Sequence, residues 1–495
     1  MTKKLCPRLA IALLAFLFLV NLYRAWTQSI TCDEAFAHSL FLSGPASLLF
    51  TSFDASHHVL HTILCRISIS LFGLSEFTLR IPSLLGGVLY FSAVYRLCRF
   101  LFGESWLFLL STAVLSLNPF LLDFLSAARG YGLALGFCLW GMEGLIRYLS
   151  APADRRPLRR AAFSLALSVA SNLTFLFPNA ALALVFLALL LAENRIAWRR
   201  QAAAAIQHFC IPGLATASLI LILPLTKARR EHFHMGVSSL AEMADSLAHA
   251  SLVHHPERWA AAGGYSVLMW CVWVIGRMAA PALLAVVAIL CIGTIYQWAR
   301  SKSPEGRRSI DRFLLLVGGA SLLTLLLSVA AHRAFGLLYP VGRTGLYWIV
   351  LLPLLSAGMA KKLEGSIARA PLLLFLSLCT AWFALEFKTS HYAWWRYDAG
   401  TKRIVQRIRE MHSGRESAKV KVGVTWFFEP SMNFYRRLYG LDWMAPLTRD
   451  GPDGAYDYFI VQGEEAAMVK KRGWRRLYTD PISGAVLAVP DRAKK

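Results

Sequence analysis

Charge is scarce in this chain, and acidic charge is scarcest. Charged residues fill 16% of the 495 positions, with 29 Asp and Glu against 52 Lys and Arg. Soluble domains carry about 25% charged residues. Together with 56% hydrophobic residues and a mean hydropathy of +0.49, this excludes an ordinary soluble protein and points to an integral membrane protein. Cysteine is absent after Cys379, which excludes a disulfide framework in the C-terminal segment. The nine that exist sit mostly in apolar runs, as small hydrophobes; a Cys32–Cys65 bridge is an open alternative. No small-residue cleavage site follows the first apolar run, so it reads as an uncleaved first span with an interfacial edge at Tyr23-Arg24-Ala25-Trp26. An internal repeat of the transporter kind is also missing.

The net charge of +23 does not indicate a nucleic-acid partner. Basic residues fall in short clusters between apolar runs, as the positive-inside rule requires. These are Lys3/Lys4/Arg8, Arg96/Arg99, Arg155/Arg156/Arg159/Arg160, Arg195/Arg199/Arg200, Arg300/Lys302/Arg307/Arg308/Arg312 and Lys361/Lys362/Arg369. Alternating them with the apolar runs predicts about eleven spans, near residues 9–26, 81–101, 105–122, 130–149, 160–177, 179–193, 206–225, 277–299, 313–331, 345–360 and 371–387. The fold class expected is a polytopic α-helical membrane protein. Residues 1–387 form its membrane domain and 388–495 a small C-terminal α/β domain outside the cytoplasm. Over Gly263–Arg300 we expect one pass plus an interfacial helix carrying Trp270 and Trp273. Val59–Phe72 is expected to lie in the interface.

In the last segment, Thr401–Met411 and Ser431–Tyr439 read as helices. Val420–Val424, Tyr456–Val461 and Ala485–Val489 read as strands.

Against this poverty of acid, Asp33 and Glu34 stand side by side just past the first span, in an outer loop of residues 27–80. Carboxylates are costly in hydrocarbon, so a pair at the lip of the bilayer suits chemistry on a substrate that is half lipid. An interfacial acidic cluster, or Asp33 as an N-cap, is the competing structural reading. The same loop carries Ser56-His57-His58-Val59-Leu60-His61, then Leu71-Phe72-Gly73 and Leu79-Arg80-Ile81-Pro82-Ser83. Ser126-Ala127-Ala128-Arg129-Gly130-Tyr131 opens the fourth span.

In this order these residues resemble the GT-C superfamily of polyprenyl-phosphate-sugar-dependent glycosyltransferases, most nearly the bacterial family of the lipid A aminoarabinose transferase and relatives of the protein O-mannosyltransferases. The resemblance covers about the first 150 residues and then the general architecture. It implies Asp33 as catalytic base and Glu34 as its partner. Arg129 matches the Arg-Gly-Tyr position, and Arg343 resembles an Arg before a late span. It departs at His57, where an Asn-type residue is more usual, and the acceptor does not transfer.

The chemistry implied is transfer of a sugar from a polyprenyl-phosphate donor to a lipid, glycan or protein acceptor, with inversion and without a cofactor, at the outer face of a bacterial inner membrane. Such a reaction needs a base at the acceptor hydroxyl and cations for the phosphate. Arg129 and Arg343 suit the second task through their bidentate fork; Lys227/Arg229/Arg230 read more readily as snorkelling residues. His58 and Tyr131 are candidates to contact the sugar or phosphate. His57 and His61, four apart, with His232, His234, His254 and His255 raise a metal reading, but no Cys or Asp completes a motif and no metal is expected. Asp123 is either a second site acid or a helix-end charge. Trp394 and Trp395 read as interfacial anchors. A transporter or lipid flippase is the alternative from another class. It would place ionisable groups at mid-membrane, whereas here they gather at the rim.

Overall fold

A computed structural model describes residues 2–193, 197–300, 309–412 and 419–491. Arg195, Lys302, Arg307 and Arg308 of the basic clusters lie outside them.

The eleven expected spans fall on helices, with 105–122 crossing a break at Asn118 and 160–177 one at Asn172. Seven helices are long and apolar enough to cross a membrane: Leu5–Thr27, Glu76–Phe102, Leu173–Glu193, Trp198–Leu225, Tyr265–Trp298, Ser309–Phe335 and Gly342–Lys362. Trp106–Leu117 and Arg369–Leu385 are apolar but shorter; Tyr131–Ser150 is rich in glycine and carries Glu143 and Arg147, and Arg156–Ser171 is short with three arginines at its start. The protein is a multi-pass helical membrane protein with a small C-terminal sheet. One local expectation changes. Tyr265–Val274 runs through a π segment at Ile275–Ala279 into Ala280–Arg300, so Trp270 and Trp273 ride on one continuous rod rather than a separate interfacial helix. Cys32 and Cys65 are both free; the Cys65 thiol instead bonds the Leu79 carbonyl at 3.2 Å.

Small residues let the central helices approach closely. Glu76–Phe102 lies against Tyr131–Ser150, where a Cβ on Gly86 would come within 2.6 Å of the Leu133 backbone nitrogen. Helix Thr2–Thr27 joins the same core through Cys6, Ala10, Leu14 and Leu17. Elsewhere in the bundle, Glu143 is wholly buried and paired by Arg96, Arg147 and Arg160, which a carboxylate inside a helix bundle requires.

The C-terminal segment folds as a four-stranded sheet in the order β1-β2-β4-β3, with β1 (Val422–Val424), β2 (Tyr458–Val461), β3 (Arg475–Thr479) and β4 (Val486–Val489). β1 and β2 are parallel; β4 runs antiparallel to β2 and β3. β3 escaped sequence reading because it is an edge strand opening on Arg475-Arg476, with no buried alternation. Helices Thr401–His412 and Glu429–Leu438 cover the sheet.

This segment does not hang free. Ile404, Val405, Ile408, Met432 and Phe434 share one hydrophobic core with Ile30, Ala35, Cys65, Leu79 and Ala128 of the membrane domain. Each large apolar side chain so buried contributes about 1.5–3 kcal/mol. The seam also has polar stitches. Tyr435 Oη accepts from the Ile30 amide at 2.8 Å and donates to Glu76 at 3.1 Å, and Asp398 accepts from the Cys32 amide at 2.5 Å.

Candidate active site at the head of the first loop

The helix that carries the acidic pair, Cys32–Ala37, begins with a capping box. Thr31 Oγ accepts from the Glu34 amide at 3.2 Å, and the Glu34 carboxylate accepts from the Thr31 amide at 2.8 Å. The N-cap is therefore Thr31, and Asp33 is not spent on capping. Consecutive helical side chains point about 100° apart, and the two acids part company at once.

Glu34 turns inward. Both its oxygens are bonded to Arg80, at 2.8 and 2.7 Å, and Oε1 also accepts from the Ala128 amide at 2.5 Å. Arg80 spends its remaining donors on the carbonyls of Ala25, Gln28 and Ser29. Neither side chain has any exposure. As the partner of Asp33, Glu34 has no open side toward a substrate; Arg80, quoted in the sequence only as part of a motif, is its counter-ion.

Asp33 turns the other way and keeps 24% of its side chain exposed. Its Oδ2 receives Arg343 and, at 3.0 Å, the indole N–H of Trp395. Oδ1 receives no hydrogen bond among the described residues. Burial alone would raise the pKa of Asp33, but Arg343 first, then Arg129, with the Trp395 hydrogen bond, hold it below the usual carboxylate range. Asp33 is thus ionised near neutrality.

Arg129 is buried and donates to the Asp33 carbonyl at 3.3 Å, while its Nε has no partner among the described residues. Gly130 explains how it gets there: a Cβ at that position would lie 2.0 Å from the Ser171 carbonyl and 2.7 Å from His58 Cβ. Only glycine lets this turn press onto His58. Arg343 sits on a short 3-10 turn, Gly342–Gly345, where Gly342 takes φ +47, a left-handed conformation suited to glycine.

His58 is buried beside Tyr131, ring centroids 5.1 Å apart, and its Nε2 is unpartnered among the described residues. Burial first, then Arg129, push its pKa well below the ordinary value, so the ring is neutral. Arg129 Nε and His58 Nε2 are thus two unpartnered polar atoms in one cluster, among nineteen such buried side-chain atoms in the described residues.

The structure brings Asp33, Arg129, Arg343, His58 and Tyr131 together and leaves Glu34 behind the helix. Other candidates fall away from the site. His57 stacks on Phe41 at 4.1 Å, and His61 bonds Ser83 at 2.9 Å, so the two do not act as a pair. Among the described residues no three of His, Cys, Asp and Glu group as metal ligands. Asp123 is a buried structural acid, paired to Arg24 and accepting from the Trp394 amide at 3.2 Å. Lys227, Arg229 and Arg230 are exposed; Arg230 lines a cavity of about 570 Å³ with Phe233 and Ala334–Leu337, which shares no residue with the Asp33 cluster. Trp395 corrects its reading as an interfacial anchor: it is buried and bonded to the central carboxylate.

No protein-family model and no curated protein matches the sequence. Among solved structures the chain is similar to ArnT from Cupriavidus metallidurans bound to undecaprenyl phosphate, with 14% identity, 97% of each chain covered and a TM-score of 0.43. The apo state of that protein gives 14% identity, 97% coverage of each and 0.42. The Archaeoglobus fulgidus oligosaccharyltransferase in complex with Zn and sulfate gives 12%, with 96% of this chain and 72% of that one covered, and 0.44. At such identities and TM-scores, donor, acceptor and mechanism are argued from the site alone.

Proposed function

We propose that this protein is a membrane glycosyltransferase that moves a sugar from a polyprenyl-phosphate donor to an acceptor hydroxyl at the extracytoplasmic face. The observation that carries the reading is the divided Asp33 carboxylate. One oxygen is tied to Arg343 and Trp395, the other is open, and two arginines lie on the same side. An ionised carboxylate with one free oxygen can accept a hydroxyl proton. Arg129 and Arg343 supply charge for a phosphate leaving group, and neutral His58 and Tyr131 offer polar contacts to the sugar.

The step balances without an added reactant. The acceptor oxygen forms a bond to the anomeric carbon and its proton passes to Asp33. The bond from that carbon to the phosphate oxygen breaks, and polyprenyl phosphate leaves with the electron pair between the two arginines. Attack opposite the leaving group inverts the anomeric centre. Glu34, with Arg80, holds the helix that aims Asp33. The distribution of basic clusters supports an N-terminus inside and residues after Lys388 outside, on the same side as Asp33. No step calls for a metal or cofactor.

The test compares envelope glycans by mass spectrometry in cells carrying the protein, lacking it, or carrying Asp33→Asn. A glycan present with the first and absent with the other two supports the reading and identifies sugar and acceptor together. A glycan profile identical in all three overturns it.

A further inference from the structure

A carboxylate bonded to a single arginine can still rotate about its Cβ–Cγ axis. Fixing its plane takes a second donor, and that donor comes from the far end of the chain. Trp395 is 1% exposed, with its ring against Phe124 at 5.2 Å and Tyr392 at 6.1 Å. Its N–H, aimed at Asp33 Oδ2, leaves Oδ1 as the open acceptor.

The segment leading to it is pinned to the membrane domain far more than packing one indole requires. Lys388 donates to the His254 carbonyl at 2.9 Å, and Gln28 donates to the Thr389 carbonyl at 2.6 Å. Arg24 reaches the His391 carbonyl at 3.4 Å while pairing with Asp123, which in turn receives the Trp394 amide. Arg24, Gln28 and Asp123 thus hold this strap of backbone in place from the membrane side. Arg343 also has a second task, to meet the donor phosphate. When it turns to that charge, Trp395 is the donor that stays on Oδ2.

We propose that Trp395 is a positioning residue for Asp33, so that the C-terminal segment completes the active site by fixing which carboxylate oxygen meets the acceptor. The inference rests on the reading of Asp33 as base.

Trp395→Phe tests it, keeping the aromatic contacts and removing the N–H. Turnover number should fall on the order of 10- to 100-fold, the scale set by a slight misplacement of a reacting group. The KM for the donor should stay within about twofold, since no phosphate contact is lost. The acid limb of the pH–rate profile should move to higher pH, because a bond favouring the ionised form is gone. The other groups facing Asp33 remain in the variant: Arg343, Arg129, Tyr397, Asp398 and Cys32. An unmoved acid limb, whether turnover is normal or falls together with stability, overturns the proposal.

A second measurement leaves Trp395 in place. In protein with isotope-labelled tryptophan, Asp33→Asn should shift one indole N–H resonance of the fifteen, because a charged acceptor becomes a neutral one. No indole resonance moving would also overturn it. Full turnover by Asp33→Asn would instead remove the base assignment while leaving the indole shift to stand, so the two failures are distinguishable.

Discussion

Two carboxylates one residue apart live in opposite surroundings. Behind the helix, Glu34 is fully enclosed, with every lone-pair direction taken by Arg80, Ala128 and Thr31. In front of it, Asp33 is partly open, with one oxygen tied and one free. Elsewhere in the helix bundle Glu143, wholly buried under three arginines, repeats the Glu34 pattern. A saturated buried acid holds structure, since nothing remains for a substrate to bond. An acid with a free oxygen beside unpartnered cationic and imidazole atoms can do chemistry. What separates the two roles is whether a partly exposed acid keeps one oxygen without a donor, as Asp33 does, which residue type and charge do not reveal.

The largest test of this contrast is Asp33→Asn. The amide cannot take the hydroxyl proton, so turnover should fall by at least about 10³-fold, in line with loss of a general base on a poor nucleophile. Purified protein should remain folded, because the Glu34–Arg80 pair is untouched, and donor binding should be kept. Turnover within tenfold of the parent would break the distinction from the front side.

Glu34→Gln probes the back side and should show the opposite pattern. It leaves Arg80 as a buried charge without its carboxylate counter-ion, which costs about 3–5 kcal/mol. Melting temperature and yield in detergent should drop sharply. A variant as stable as the parent but inactive would mean that Glu34, not Asp33, does the chemistry.

How much of this could be read from residues alone follows the same line. The spans were legible because apolar runs and basic clusters repeat over twenty residues at a time. The cluster of Asp33, His58, Arg129, Tyr131 and Arg343 was legible from motif order. The division of labour within the acidic pair was partly on view: Thr31-Cys32-Asp33-Glu34 is a capping-box pattern, which predicts that Glu34 turns back to the helix start. Reading it would have separated the two acids before any coordinates. Arg80 and Trp395 were out of reach. One looks like a span-end arginine and the other like an interfacial tryptophan, and their partners lie 46 and 362 residues away. No periodicity or spacing rule reaches across that distance.

Arg129 sharpens the comparison on the cation side. Its Nε is unspent, whereas Arg80 has bonds on Nε and on both terminal nitrogens. Arg129→Ala should weaken binding of undecaprenyl phosphate, used as a probe, by about 2–4 kcal/mol, the cost of one desolvated charge-assisted contact. Arg129→Lys should recover part of it, keeping the charge and losing the fork. Binding by titration in nanodiscs reads both. Equal affinity in all three proteins would remove Arg129 from the donor site.

The smallest effect concerns pH, and its sign follows from the open side of the pair. Asp33 titrates below the usual carboxylate range because Arg343, and then Arg129, outweigh its burial. A group whose folded pKa is depressed contributes stability that is present above its unfolded pKa and lost as pH falls through the folded one. The proton-accepting form persists over the same window, so activity should be insensitive to Asp33 protonation from neutrality down to the unfolded carboxylate range. The decline should set in only below that range. Arg343→Gln removes the charge with the larger effect on Asp33 and should move the acid limb of kcat/KM upward further than Arg129→Gln does. The absolute rates of both variants will be lower through donor binding, so the quantity to compare is the position of the limb. If the two limbs coincide with the parent's, the group limiting activity at low pH is not Asp33. The open oxygen would then be an exposed charge and nothing more.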